Sequence, residues 1–147
     1  MPVLREVELE TLLELRERVL TPGHPGRPVI WPCDGTATRY GMCVEDQLIG
    51  CVSITAQEVP EEVPVPAALR PFHLHSMAVE PGWQGHALGR EMLTKVTAAV
   101  ASQGGDLIWA TARPSAVEFL PAEWLRDRRR DARATNALMR YVWLALT

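Results

Sequence analysis

Apolar positions in this chain come in short blocks, and their spacing switches between the period of a strand and that of a helix. Val3 to Val7 reads as a first strand. From Glu8 to Leu20 the leucines at 9, 12, 13 and 20 fall near one face at helical spacing. The run Thr21-Pro-Gly-His-Pro-Gly-Arg-Pro28 cannot continue that helix, because proline lacks the amide donor and crowds the preceding turn. The loop it opens extends to about Gly35, long enough for a substrate or lid segment. Thr38–Val44 and Leu48–Ala56 are β-rich and flank Glu45-Asp46-Gln47, which predicts an antiparallel hairpin. Glu58–Pro71, with four prolines and three glutamates, is a second long loop. Phe72–Val79 follows as a strand and Glu80-Pro-Gly-Trp83 as a turn. From Gly85 to about Ser102 a helix is expected, with Leu88, Met92, Val96, Ala99 and Val100 on one stripe. Gln103-Gly-Gly105 ends it, since glycine suits a left-handed terminus. Asp106–Thr111 is a strand, Pro114–Leu120 a short helix opened by proline, and Leu138–Leu146 the last strand. Hairpin-joined strands combined with one strand–helix–strand crossover predict an α+β architecture: a central mixed β-sheet flanked by helices, in a single domain over residues 1–147.

Composition narrows the function more than the fold. With 47% hydrophobic and 22% charged residues the chain is ordinary globular protein. No apolar run reaches the ~18 residues of a membrane span, and the N-terminus lacks the basic-then-apolar layout of a signal peptide, so a cytoplasmic location and no membrane partner are expected. The net charge is −3, against the basic surplus of a nucleic-acid binder, so no nucleic acid is expected. Residues 1–73 hold 6 basic and 11 acidic side chains, residues 74–147 hold 9 and 7. The second-half surplus sits in Arg126–Arg133, five Arg and two Asp, which reads either as a solvated helix face or as a polyanion patch. Cys33, Cys43 and Cys51 have no paired spacing, so reduced thiols and no metal site are expected.

The segment that carries chemistry runs from Leu74 to Arg90. A strand leads through a tight turn into a helix expected to begin with Gln84-Gly85-His86-Ala87-Leu88-Gly89. The first amides of a helix have no internal partner and the dipole there is positive, so small residues let a phosphate approach. Neither Gly-Lys-Ser/Thr nor G-x-G-x-x-G is present, which excludes the P-loop and the dinucleotide fingerprint. Gln-x-x-Ala-x-Gly after Met-Ala-Val-x-Pro resembles instead the coenzyme A signature of the GNAT N-acetyltransferase superfamily, usually Arg/Gln-x-x-Gly-x-Gly/Ala. The likeness extends to Leu107-Ile-Trp-Ala-Thr-Ala-Arg-Pro-Ser-Ala-Val-Glu-Phe119, and the element order agrees from residue 3 to about 120. Ala87 stands where the family usually has glycine.

The resemblance implies an acyl-CoA N-acyltransferase fold and an enzyme that transfers the acetyl group of acetyl-CoA to a primary amine. Met77, Ala78 and Val79 would supply backbone that grips the pantetheine arm and polarises the thioester carbonyl. Gln84, Gly85, His86, Ala87, Leu88 and Gly89 would cradle the pyrophosphate; Arg90, ahead of Lys95, would meet the adenosine phosphates or lie on the surface, and Arg113 would contact coenzyme A near the pantetheine or close the strand end with Asp106 or Glu118. A protonated amine cannot attack, so a base is needed. His73 and His75, two apart on one strand, titrate near neutral pH and project to one face. His-Leu-His-x-x-Ala-Val resembles the arylalkylamine N-acetyltransferases, in which such a pair relays a proton. The alternative for either histidine is quiet packing or a hydrogen bond within the sheet.

Departures from the family pattern are specific. Where relatives carry a tyrosine as general acid, Leu120 follows Phe119. A thiol of pKa ~8.5 still leaves as its anion. Tyr40 and Tyr141 are the other tyrosines. Residues 121–137 do not resemble the family, and read as a divergent helix, an oligomer contact compatible with a homodimer, or an altered stretch of coding sequence. Glu58, Glu61 and Glu62 border the acceptor side and would attract a cationic amine, or are simply solvated. Trp31, Tyr40 and Phe72 are pocket or core aromatics. Beside the small-amine enzyme stand two alternatives: a catalytically silent acyl-CoA-binding or sensor module, and an acetyltransferase of a protein or tRNA-linked amine.

Overall fold

A computed structural model describes residues 2–20, 35–61, 63, 65–84, 87–112, 120–126, 132–134 and 137–146. Its strands are β1 (Val3–Glu6), β2 (Thr38–Val44), β3 (Gln47–Ala56), β4 (Pro71–Val79), β5 (Leu107–Ala112), β6 (Leu125–Arg126), β7 (Ala132–Ala134) and β8 (Ala137–Ala145). The helices are α1 (Leu9–Leu20) and α2 (Leu88–Ser102), with a 3-10 turn at Pro81–Trp83. The strands form a mixed sheet in the order β1-β2-β3-β4-β5-β8-β6, with β7 on β8. β4 and β5 are parallel, while β1·β2, β2·β3, β5·β8, β6·β8 and β7·β8 are antiparallel. A mixed sheet flanked by helices is therefore the fold, as expected of a GNAT-type chain. By its contacts the chain divides into two compact units, Met1–Thr55 with Leu74–Val96, and Ala56–His73 with Thr97–Thr147.

In the first unit, β2 and β3 form the expected hairpin. Its turn is tighter than Glu45-Asp46-Gln47, because Gln47 already pairs with Val44 and Glu45 takes a left-handed φ of 54°. β3 is buried from Ile49 to Thr55, as a strand with neighbours on both sides should be. α1 buries Leu12, Leu15 and Arg16. This differs from the face expected from Leu9 and Leu13, which are only partly buried. Leu12 and Leu15 pack with Cys51 and Ala78, and Val7, Val19 and Leu48 close that cluster. Arg16 is fully buried, and one of its guanidinium nitrogens donates to Ser53 Oγ at 3.0 Å. A buried cation is tolerated only when hydrogen-bonded, and Ser53 sits on the buried face of β3 to receive it.

In the second unit, Val63, Leu107, Trp109 and Trp143 make a core. Val59, Val65, Ala68 and Tyr141 pack against it. The proline-rich loop therefore does more than connect, because Val63 is buried inside it while Glu58 and Glu61 stay exposed. Asp106 fixes its end, accepting the amides of Leu69 and Arg70 at 2.8 and 2.9 Å. Those two donors hold its carboxyl below the usual carboxylate range.

α2 begins at Leu88, later than the Gly85 start read from the sequence. Glu91 N donates to Ala87 O at 3.1 Å, so Ala87 is the residue before the first turn. Leu88, Met92, Val96 and Val100 form the buried stripe, joined by Leu93, while Ala99 is only half-buried. At its other end Gly104 has φ 82°, and Gly105 N returns to Val100 O at 2.9 Å. This is the left-handed glycine terminus that the sequence predicts.

Residues 121–137 are corrected in part. Where they are described they form strand, with Leu125–Arg126 and Ala132–Ala134 both paired to β8. A helix is thus not their form there, while residues 127–131 of the Arg-rich run lie outside the described residues. Several expectations lie outside the described residues: the loop Thr21 to Asp34 with Trp31 and Cys33, Glu62, the short helix at 114–119 with Arg113, and residues 127–131.

Candidate active site

β4 carries the two histidines and the residues Met77, Ala78 and Val79 singled out from the sequence, and its geometry changes along its length. Only Pro71, Phe72 and His73 pair with β5, opposite Leu107, Ile108 and Trp109. From Leu74 onward, among the described residues, the main chain of β4 has no pairing to β5. Ser76 then takes a left-handed φ of 55°, unusual for a side chain inside a strand. This breaks the two-residue alternation: Leu74 and His75 are both buried, Ser76 and Met77 are half-exposed, Ala78 is buried and Val79 half-exposed.

The two histidines meet different surroundings. His73 is half-exposed and stacks on Trp109, with ring centroids 4.1 Å apart and planes 11° from parallel. Its Nδ1 lies 3.1 Å from Gln57 Oε1. Gln57 is itself held by its main chain, since its N donates to Pro71 O at 3.1 Å and its O accepts from Trp109 Nε1 at 2.9 Å. Trp109 in turn meets Tyr141 at 6.4 Å with a 46° tilt. His75 is buried, 9% exposed. Its Nε2 is 2.9 Å from Thr55 Oγ1 and its Nδ1 is 3.4 Å from Ser76 Oγ. A hydroxyl thus faces each ring nitrogen, and a hydroxyl can donate to or accept from either.

β3 contributes a polar row beneath this strand. Cys51, Ser53 and Thr55 alternate along it and are all buried. Cys51 Sγ donates to Ser76 O at 3.3 Å, Ser53 holds Arg16, and Thr55 holds His75. Burial raises the Cys51 thiol to about 11, against a smaller opposing pull from Arg16.

The cradle residues stand at the start of α2. The Gln84 amide bonds to Pro81 O at 3.4 Å, and its side-chain Nε2 donates to Val79 O at 3.0 Å, closing the turn from β4. Gly85 and His86 lie outside the described residues. Ala87 is left-handed, φ 60°, and is not the helical alanine that the sequence reading assumed. The amides of Leu88, Gly89 and Arg90 occupy the first turn, where a helix supplies no acceptor. Gly89 lies against Met77: an added Cβ would meet Met77 Cε at 3.3 Å. Small size at 89 therefore lets helix and strand approach, and the first-turn amides, with the β4 main chain, offer a fit for a phosphate-bearing thioester. Arg90 and Lys95 are exposed, and Lys95 pairs with Glu91 at 3.6 Å.

The other sequence candidates are placed as follows. Phe72 is core, against the Gly105 terminus. Tyr40 is half-buried, and burial with the nearby Glu6 charge raises its phenol, which makes it a poorer acid. Cys43 and Cys51 are free and buried. Among the described residues no group of three His, Cys, Asp or Glu side chains is placed to hold a metal ion, and no helix is long and apolar enough to cross a membrane. Sequence reasoning missed Gln57, Thr55, Ser76 and Trp109 as neighbours of the histidines. Of these, Trp109 had a signal, because it lies in the Leu107–Phe119 stretch that resembles the family.

Comparison with known proteins gives the family. Residues 9–121 match the model of the Acetyltransferase (GNAT) family, so the chain belongs to that family. No curated protein sequence matches it significantly. Similar solved structures include a GNAT-family acetyltransferase from Staphylococcus aureus Mu50, TM-score 0.72 at 14% identity over 100% of both chains. A Bacillus subtilis acetyltransferase in complex with CoA gives 0.68 at 13% identity over 99% of this chain and 98% of that one. A GNAT family acetyltransferase from Elizabethkingia anophelis with acetyl-CoA bound gives 0.65 at 11% identity over 99% and 98%. At such identities the likeness is one of fold.

Proposed function

We propose that this chain is an N-acetyltransferase that moves the acetyl group of acetyl-CoA onto a small primary amine by direct attack in a ternary complex. One observation carries the reading: Gly89 in the first turn of α2 lies against Met77 of β4, which sets the first-turn amides beside the main chain of Met77, Ala78 and Val79, where a pantetheine arm would add as a strand. The amides of Leu88, Gly89 and Arg90 would receive the pyrophosphate. The solved relatives with acetyl-CoA and with CoA bound agree with that substrate class.

In the reaction the amine nitrogen bonds to the acetyl carbon, the carbon–sulfur bond breaks, and coenzyme A leaves as thiolate. A main-chain amide in Met77–Val79 would stabilise the oxyanion, because a fixed amide needs no reorganisation when charge develops. The ammonium must lose one proton before attack, and the nitrogen sheds a second as the amide forms, which the departing thiolate or solvent takes up. His73, half-exposed and held in orientation, is the residue to take the first. His75, buried between two hydroxyls, would pass protons or hold the strand. With Leu120 in the place of the family's tyrosine, the thiolate departs without an acid from that position. Glu58 and Glu61, exposed on the loop before β4, favour a cationic acceptor.

The test is thiol release from acetyl-CoA with polyamines, arylalkylamines and peptides as acceptors. Turnover with a small amine is expected, and replacing both histidines by alanine should lower it by ~10²–10⁴. Tight coenzyme A binding without turnover would favour the silent module. Activity confined to peptides or tRNA-linked amines would favour the macromolecular alternative.

A further inference from the structure

We propose that Gln57 is a positioning residue that fixes the tautomer of His73, so that Nε2 is the atom that takes the amine's proton. The inference rests on the reading of His73 as the base and goes one step past it. Neutral imidazole carries its proton on one nitrogen and its lone pair on the other, and the hydrogen bond made by one decides the role of the other. His73 Nδ1 faces the carbonyl oxygen of the Gln57 side chain at 3.1 Å. A carbonyl oxygen can only accept. Nδ1 is therefore the protonated nitrogen, and the lone pair sits on Nε2.

What makes this a built arrangement is that Gln57 is anchored by groups other than its amide. Its main-chain N is tied to Pro71 O and its main-chain O to the Trp109 indole N–H. Trp109 in turn lies flat against the His73 ring, in register with it across the parallel β4·β5 pair. One tryptophan thus holds both partners: its face sets the plane of the imidazole, and its edge holds the residue that bonds Nδ1. Rotation about the imidazole's χ2 would break the stack and the hydrogen bond together. A general base aimed by a third group is the arrangement that such catalysis requires.

The test separates the tautomer from the rate. In ¹⁵N-labelled protein the imidazole nitrogens of His73, identified by their loss in His73→Ala, should show Nδ1 protonated and Nε2 bare at a pH where the ring is neutral. Gln57→Leu removes the acceptor and leaves both main-chain bonds, so the fold should persist while His73 shifts toward the other tautomer. Its kcat should fall roughly 10-fold, with KM for acetyl-CoA and amine within about twofold, since only the base is affected. Gln57→Glu keeps an acceptor facing Nδ1 and should restore both the tautomer and most of kcat. An Nε2-protonated His73 in the wild type would overturn the inference. So would wild-type kcat in Gln57→Leu when His73→Ala is inactive. Wild-type turnover in His73→Ala is a different failure: it would remove the base itself, and this inference with it, whatever the nitrogen spectra show.

Discussion

The two ends of α2 solve the same geometric problem with different residues. At the C-terminal end the chain must turn through a left-handed position, and Gly104 takes it at φ 82° without a side chain to clash. At the N-terminal end the chain again enters a left-handed position, at φ 60°, but the residue there is Ala87. For an L-residue this conformation costs ~1–2 kcal/mol. The end that only has to stop a helix is thus relaxed, and the end proposed to meet phosphate holds strain. Strain of this kind concentrates where surrounding structure or function over-determines the backbone. Ser76, also left-handed, lies on the same strand as the two histidines.

Three substitutions bear on this contrast. The largest effect is expected from Gly105→Ala. A Cβ there would fall 2.3 Å from Val100 Cγ1 and 2.9 Å from Phe72 Cδ1, so the terminus must shift. A loss of ~1–3 kcal/mol by urea denaturation is expected. A variant as stable as wild type would show that Val100 and Phe72 yield freely to a side chain at this position. Next comes Ala87→Gly, with the opposite sign. Glycine relieves the left-handed cost but loosens the unfolded chain, leaving a net gain of about 0.5–1 kcal/mol. Destabilisation by that change would remove the strained half of the comparison. The smallest effect concerns Asp106, just past the relaxed end. Its folded pKa is depressed by the Leu69 and Arg70 amides. Its contribution is therefore complete above the ordinary carboxylate range and is lost as pH falls through its lowered folded value. The melting temperature of wild type should exceed that of Asp106→Asn at pH 7, and the two should converge in acid. A gap that persists at low pH would refute the linkage.

Much of the architecture was legible because it rests on periodicity. The hairpin, β4, the α2 stripe and the glycine terminus each follow from spacing that one element imposes on its own residues. What failed depends on partners distant in sequence. The start of α2 was placed too early because Gln84 and Ala87 look helical in isolation, whereas the turn from β4 ties the Gln84 side chain back to Val79. Nothing in the local sequence marks Arg16 for burial, and one partner that makes its burial tolerable, Ser53, is 37 positions away. Residues 125–126 and 132–134 are too few for alternation to reveal a strand, and take that form by pairing with β8. At the site, the histidines were found by type, but not what holds them. Gln57 is 16 residues from His73, and Trp109 reaches it only through the parallel register.

The buried thiol on β3 bears on how the reaction can be followed. With Cys51 raised to about 11, only about one molecule in ten thousand carries the reactive thiolate at neutral pH. Disulfide-exchange dyes that colour on meeting liberated coenzyme A should therefore pass this side chain by, and Cys51 should add nothing to the chromogenic signal.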